Sequence, residues 1–265
     1  MLATQRQSRI LEEIRRTGAA RVSELTDLLG VSDMTIRRDL ESLAGAGAVQ
    51  KVHGGAVLTT AATEEPGFAV KSELEQAAKM AIAALAASFI RPGSAIALSA
   101  GTTVYNLARH ICTVPDLTIV TNSTAVADMI AAGAGAPGQT VILTGGVRTP
   151  SAALVGPVAD LALRSLHVDQ LFLGVHGMDA TAGFTTPNLA EAETNRALID
   201  GARQVIICAD ATKWGSVGLA SFAPLSTADI LVTDSGLSAD AAAVLSEEVG
   251  SLRVANADSA QWASG

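Results

Sequence analysis

Two adjacent arginines, Arg37 and Arg38, sit near the start of the segment SDMTIRRDLESL, Ser32 to Leu43. Its apolar residues Ile36, Leu40 and Leu43 recur at i, i+4 and i+7, the spacing of one helix face. Cations at a helix N-terminus oppose its dipole. Their placement makes physical sense where that end meets phosphate oxygens or the acceptor edge of guanine. Ser32 has the chemistry of an N-cap, and Thr35 adds a hydroxyl suited to a phosphate. A second collection of residues is small and polar: Ser99, Gly101, Thr102, Thr103, Asn122, Gly145, Gly146, Gly177, Asp179, Glu191 and Lys213. Amides at a glycine-containing helix start, with two hydroxyls beside them, form a cradle for an anion. Lys213 would offset the charge, and Asn122, Asp179 and Glu191 would hold hydroxyls. A phosphorylated polyol fits that set.

Each feature has a plainer reading. The arginines could be solvated surface groups, Thr35 only a first-turn residue, and His53 a turn or backbone contact. Asp39 and Glu41 could pair with arginines of the first helix. A lone SAGTT is often a tight turn and a cap. Asn122 could cap a helix, Gly145-Gly146 shape a loop, Glu191 pair with Arg196, and Lys213 lie on the surface. Convergence of several segments on one rim is what favours a site.

The elements that must carry these residues follow from periodicity. Gln5–Thr17 reads as a helix with Ile10, Leu11 and Ile14 inward, ended by Gly18. Ser23 caps a short helix whose face is Leu25, Leu28 and Leu29. Gly30-Val31-Ser32 turns into the arginine helix, so residues 1–58 predict a helix-turn-helix. Val49–Val52 and Ala56–Leu58 form a hairpin about His53-Gly54-Gly55, a wing from which Lys51 and His53 could reach a DNA backbone. Residues 59–70, with Pro66-Gly67, read as a linker.

From 71 to 255 short apolar strands alternate with helices: helix 71–89, strand 95–99, helix 103–111, strand 117–121, helix 123–132, strand 140–146, helix 157–166, strand 170–175, helix 189–202, strands 204–210 and 229–234, and helix 238–249. That is an α/β domain with a mainly parallel sheet covered on both faces. Ligands of such sheets bind beyond the carboxyl ends of the strands, where the small polar residues fall. Residues 256–265 read as a flexible tail.

Net charge is −8, which alone argues against nucleic acid. Its distribution reverses that reading: residues 1–58 carry +1 and the remainder −9. Phosphate contact would be local to the small head and strongly salt-dependent. Apolar runs are too short to span a bilayer and the N-terminal stretch is no signal segment, so a cytoplasmic protein with no membrane partner is expected. Cys112 and Cys208 read as buried thiols. His167 and His176 lack partners at metal-ligand spacing, so neither metal nor cofactor is expected.

VSDMTIRRDLESL followed by KVHGGAV resembles the DNA-binding domain of the DeoR family of bacterial transcription regulators, over nearly all of residues 5–58. Residues 71–235 resemble that family's C-terminal sensor domain, related in fold to sugar-phosphate isomerases. The residues that carry this second likeness are Ala100–Thr103, Thr121-Asn122, Gly145-Gly146, Gly177, Glu191-Ala192, Arg196 and DATKWG from Asp210. Three positions depart from the family pattern. Lys51 stands where Arg is frequent, Ser99 where an Asp is common, and Asn195 where a Lys is common. The resemblance implies a winged helix-turn-helix head on a Rossmann-like α/β sensor domain. It also implies a sequence-specific regulator, most simply a repressor of a carbohydrate operon, responding to a phosphorylated sugar. Operator DNA would then be one partner, and a symmetric homo-oligomer is expected. The rival readings are an isomerase- or deaminase-like enzyme with a DNA-binding head, and a DNA-binding module whose second domain only assembles. Ser99 in the acid's place weighs against the enzyme.

Overall fold

A computed structural model describes residues 3–17, 19–45, 49–52, 54–58, 67–133 and 135–256. The expectations for Gly18 as a helix stop, for His53, for the tail and for most of the linker lie outside them. The described residues fall into two compact units. One runs to residue 58 and includes Ala69–Leu74; the other holds 67–68 and everything from Glu75 onward.

In the first unit the chain forms α1 (Ala3–Thr17), β1 (Ala19–Arg21), α2 (Val22–Leu29), α3 (Asp33–Gly45), β2 (Val49–Val52) and β3 (Gly55–Leu58). Ile10 and Ile14 of α1, Leu25 and Leu29 of α2, and Ile36, Leu40 and Leu43 of α3 make one buried cluster with Val49 and Ala56. Leu28, expected inward, is 48% exposed. Gly30 closes α2 in the left-handed region at φ 64°, and Ser32 starts α3 by accepting from the Thr35 amide. Ser23 is not a cap: α2 begins at Val22, and the Glu24 carboxylate instead accepts from the Arg21 amide at 3.0 Å. β2 and β3 pair antiparallel, Val52 opposite Gly55. The sequence reading missed β1, which pairs with β3 and places Gly55 against Ala20, so that a Cβ on residue 55 would lie 2.4 Å from the Ala20 carbonyl oxygen. Glycine lets β3, the middle strand of this sheet, close against β1.

The segment expected as one helix over 71–89 is two: α4 (Phe68–Glu73) and α5 (Gln76–Ala87), separated by Glu75 at φ 49°. α4 also takes up Phe68–Val70 from the stretch read as linker. Then follow β4 (Ala95–Leu98), α6 (Thr102–Ile111), β5 (Thr118–Thr121), α7 (Thr124–Ala132) and β6 (Thr140–Leu143), with the short pair β7 (Val147–Arg148) and β8 (Leu154–Val155). The chain goes on through α8 (Pro157–Arg164), β9 (Gln170–Gly174), β10 (Gly177–Asp179), β11 (Gly183–Thr186), α9 (Leu189–Asp200), β12 (Val205–Cys208), β13 (Ala220–Ala223), β14 (Ile230–Asp234), α10 (Ala239–Glu248) and β15 (Leu252–Ala255).

Seven strands form one parallel sheet in the order β15-β14-β12-β9-β4-β5-β6. Alternation along the strands splits the core in two. Ala97, Val120, Leu171, Leu173 and Ile207 face one layer. Ile96, Leu98, Ile119, Phe172, Ile206 and Val232 face the other, with α5, α6 and α7. Near-continuous apolar strands are what burial on both faces requires. After β4 the chain winds outward through β5 to β6, then returns with β9 on the other side of β4. The strand order therefore reverses at β4, the topological switch point of such a sheet. A small antiparallel sheet, β10-β11-β13, was not anticipated. Its central strand β11 is buried at all four positions, without the period-2 exposure that marks an ordinary hairpin.

Candidate DNA-binding face and effector site

In the head, α3 carries Ile36, Leu40 and Leu43 inward and leaves Arg37 and Arg38 exposed. A cavity of about 400 Å³ lies between the start of α2, the first turns of α3 and the wing turn, lined by Val22, Ser23, Thr26, Asp27, Asp33, Arg37 and Gly54. The recognition helix and the wing thus border one concavity. Arg37 pairs with Asp33 one turn back, Nε to Oδ1 at 3.2 Å, with both side chains more than half exposed at 54% and 60%. Such an exposed pair holds its partner weakly, so Arg37 remains free to exchange carboxylate for phosphate. Thr35 bonds its hydroxyl to that of Ser32 at 2.9 Å. Lys51 reaches Glu41 of α3, Nζ to Oε1 at 2.9 Å, and the lysine's hydrogen bond and charge hold the Glu41 carboxyl below its ordinary value. Glu41 therefore pairs with the wing and not with the first helix. Asp39 does pair with the first helix: it is 4% exposed and accepts from Arg6 and, at 3.2 Å, from Gln7. These contacts tie α1 to α3 and fix the orientation of the arginine face.

In the body, the loop after β4 lies at the switch point. Gly101 starts α6 at φ 133° and ψ 153° with nothing within 4 Å of where a Cβ would stand. No side chain caps this helix, whereas Ser123, Asn188 and Ser238 cap α7, α9 and α10. Space is open beside Gly101 at the start of α6, with Thr102 and Thr103 on the first turn, each 7% exposed. An uncapped N-terminus at a switch point has the charge and the donors to receive an anion.

Around that loop the residues read from sequence divide by what they do. Ser99 is 2% exposed and its hydroxyl is committed to backbone: it accepts from the Gly174 amide at 3.0 Å and donates to the Ala100 carbonyl at 3.1 Å, stitching β4 to β9. Asn122 is not a helix cap. Its Oδ1 accepts from the Ala100 amide at 3.0 Å and its Nδ2 donates to the Leu154 carbonyl at 3.2 Å, so it braces the loop after β4 against β8. Glu191 does not pair with Arg196, which instead contacts Glu193. Its two oxygens accept from the Thr149 hydroxyl at 2.7 Å and the Thr186 hydroxyl at 3.2 Å. Thr149 donates its own amide to Ala153 at 2.8 Å, and Ala153 bridges to Ser123. One polar chain thus runs from the β4 loop through Asn122 and the β7–β8 loop to Glu191. Within that loop Ala152 adopts φ 60°, a left-handed conformation unusual for alanine.

Lys213 stands on a short 3-10 turn after β12, its Nζ 4.0 Å from Asp210 Oδ2. Asp210 is 1% exposed; its Oδ1 caps the turn through the Thr212 amide, while Oδ2 has no hydrogen-bond partner among the described residues. Burial alone would raise the Asp210 carboxyl, but Lys213, the Thr212 hydroxyl and Lys79 together hold it below its ordinary value. Lys79 of α5 is 3% exposed and was missed by the sequence reading. The available signal was a lone lysine on the buried face of the alanine-rich helix QAAKMAIAALAA.

Other expected residues stand apart from this cluster. Asp179 uses Oδ1 to accept from the Thr181 and Ala182 amides at 2.8 and 2.9 Å, closing the β10–β11 turn. Gly177 is required by packing: a Cβ there would lie 2.0 Å from the Ser216 carbonyl oxygen. Gly146 is likewise pressed on Val155, and Gly145, at φ 73°, adjoins Val158 at the sheet's edge. Both lie beyond β6, two strands from β4. Cys112 and Cys208 are free thiols, and burial pushes Cys208 up to about 12. Among the described residues no His, Cys, Asp or Glu cluster is placed to hold a metal ion, and no helix is long and apolar enough to cross a membrane.

The DeoR-like helix-turn-helix domain matches residues 6–62, and the DeoR C terminal sensor domain matches residues 74–235. The chain belongs to the DeoR family. The HTH-type transcriptional regulator YgbI of Escherichia coli K12 is 39% identical over 96% of this chain and 99% of its own. The HTH-type transcriptional regulator GlpR of Haloferax volcanii is 35% identical over 91% and 93%. The transcriptional repressor AccR of Agrobacterium fabrum is 31% identical over 87% and 89%. Among solved structures, ribose 5 phosphate isomerase A from Neisseria gonorrhoeae aligns over 55% of each chain at 13% identity and a TM-score of 0.38. This DeoR-family protein is a DNA-binding transcription regulator, and the relatives it matches are named as regulators and not as enzymes.

Proposed function

We propose that this regulator is a cytoplasmic repressor whose body, residues 71–255, binds a phosphorylated sugar, and whose head, residues 1–58, releases operator DNA in response. The observation that carries the effector reading is Asp210 Oδ2, a buried carboxylate oxygen without a hydrogen-bond partner, beside Lys213 and Lys79. A buried acceptor left unpaired costs free energy, and a ligand hydroxyl would satisfy it. The uncapped start of α6 at Gly101–Thr103 would take the phosphate. On this reading Lys213, Asp210, Thr102 and Thr103 touch ligand, Asn122 and Glu191 brace the loops, and Ser99 holds β4 to β9. The named repressor among the relatives supports the sign of regulation. On the DNA side Arg37 and Arg38 are the contact residues, Ser32 and Thr35 serve the helix start, and Lys51 contributes from the wing. The chain acts as a homo-oligomer, because paired heads on repeated half-sites supply affinity that one small head lacks.

For an effector to act it must bind the DNA-competent and incompetent states differently. The test is a gel-shift titration of the protein on its own promoter with a panel of pentose and hexose phosphates. One of them is expected to weaken binding, and to lose that effect in Lys213→Ala while DNA affinity without ligand is kept. A panel that leaves affinity unchanged overturns the sensor reading.

A further inference from the structure

The seven-stranded sheet has two edges, and they differ in kind. β15 ends one edge and carries the exposed Arg253 along it, the sort of charge that blunts an edge against further pairing. β6, at the other edge, is Thr140-Val141-Ile142-Leu143, with no charge, proline or glycine. The Thr140 amide donates to Leu117 and the Thr144 amide to Thr121, both toward β5. The strand's period of two therefore turns the main-chain groups of Val141 and Leu143 to the open side. Their side chains are 37% and 44% exposed, in a sheet type that is otherwise covered on both faces.

The surroundings of β6 are apolar as well. Val147 is 71% exposed just past its end, and Val158 and Leu161, one turn apart on α8, are 64% and 73% exposed. Val158 borders Gly145 in the loop leaving β6, so the patch runs from the strand end onto the helix. Residues 139–165 hold only Arg148, Asp160 and Arg164 as charged residues, a net of +1, while everything from 59 onward nets −9. Copies of an acidic body repel one another least across a stretch that carries few charges and no net negative one, as this one does.

We propose that β6 pairs antiparallel with β6 of a second copy of this chain about a two-fold axis. Val141 of one copy then faces Leu143 of the other, each such pair exchanging both main-chain bonds, and the two sheets become one. The strand is its own complement in that arrangement, as an isologous contact requires. This rests on the reading of the protein as a homo-oligomer and names the face that makes it one.

The test is sedimentation equilibrium of the full-length protein as wild type, Leu143→Lys, and Val254→Lys on the opposite edge, with circular dichroism melts for each. The expected result is an oligomer for wild type and Val254→Lys, and half that mass for Leu143→Lys with an unchanged melt. A monomeric wild type overturns the homo-oligomer reading itself. An oligomer that survives Leu143→Lys, or is lost only in Val254→Lys, overturns this face and leaves the oligomer intact. Should Leu143→Lys fail to fold, hydrogen exchange of the wild type decides. The peptide spanning 140–143 should exchange several-fold more slowly in concentrated than in dilute protein while 252–255 stays constant; equal behaviour of both overturns the proposal.

Discussion

At the scale of single residues, the head distinguishes cations already partnered from those left exposed. Arg38 is expected to act on DNA directly, and Arg38→Ala to weaken operator binding by ~1–3 kcal/mol if it reads a base, or to lower the salt slope by about 1 if it holds a phosphate. Fluorescence anisotropy over a salt series separates these outcomes. Lys51 is engaged by Glu41, so Glu41→Gln should release it, tightening non-specific binding and steepening the salt slope by about 1. In the body, Asp210 has a folded-state carboxyl held below the ordinary value of 3.8. Its contribution to stability is therefore present above pH 3.8 and lost as pH falls through the lower folded value. Denaturant melts from pH 6 to about pH 2 should show wild type losing more stability than Asp210→Asn across that acid window. The exposure of Arg37 and Arg38 was legible from sequence because the apolar stripe of Ile36, Leu40 and Leu43 leaves them on the other side of α3. Lys79 and the commitment of Ser99 to Gly174 were not, because both depend on a strand or helix far away in the chain.

At the scale of elements, two glycines of similar appearance in sequence do different work. A Cβ at Gly177 would meet the Ser216 carbonyl oxygen, whereas one at Gly101 would meet nothing. Gly177→Ala should destabilise the body by ~1–3 kcal/mol through overpacking, lowering its thermal midpoint without ligand. Gly101→Ala should cost about 1–3 kcal/mol of backbone strain, and on the proposed reading, in which this loop receives the effector's phosphate, should blunt effector response in the gel shift. Helices with a clean apolar stripe and strands with continuous burial were readable, since local period and core contact agree. The break at Glu75 was not, for Leu74-Glu75-Gln76 contains neither glycine nor proline and its left-handed residue is an ordinary glutamate. β1 and β15 were missed for a related reason: each is short and takes its strand character from a neighbour distant in sequence.

At the scale of the whole molecule, the chain combines a head of +1 with a body of −9. Operator affinity should therefore fall steeply with ionic strength despite the protein's acidity, since only local phosphate contacts release counterions. By itself the sequence determined the order of the two parts, the helix-turn-helix with its wing, and the parallel α/β class of the body. These follow from hydrophobic period, turn chemistry and charge, which are local. Tertiary structure decided which polar residues meet. It gave Asn122 and Glu191 to the bracing of loops and Asp179 to a turn, set Lys79 beside Asp210, and left β6 as an uncharged edge. Such pairings depend on strand order, and strand order is settled by how the two core layers close over the sheet and not by any stretch of the chain alone.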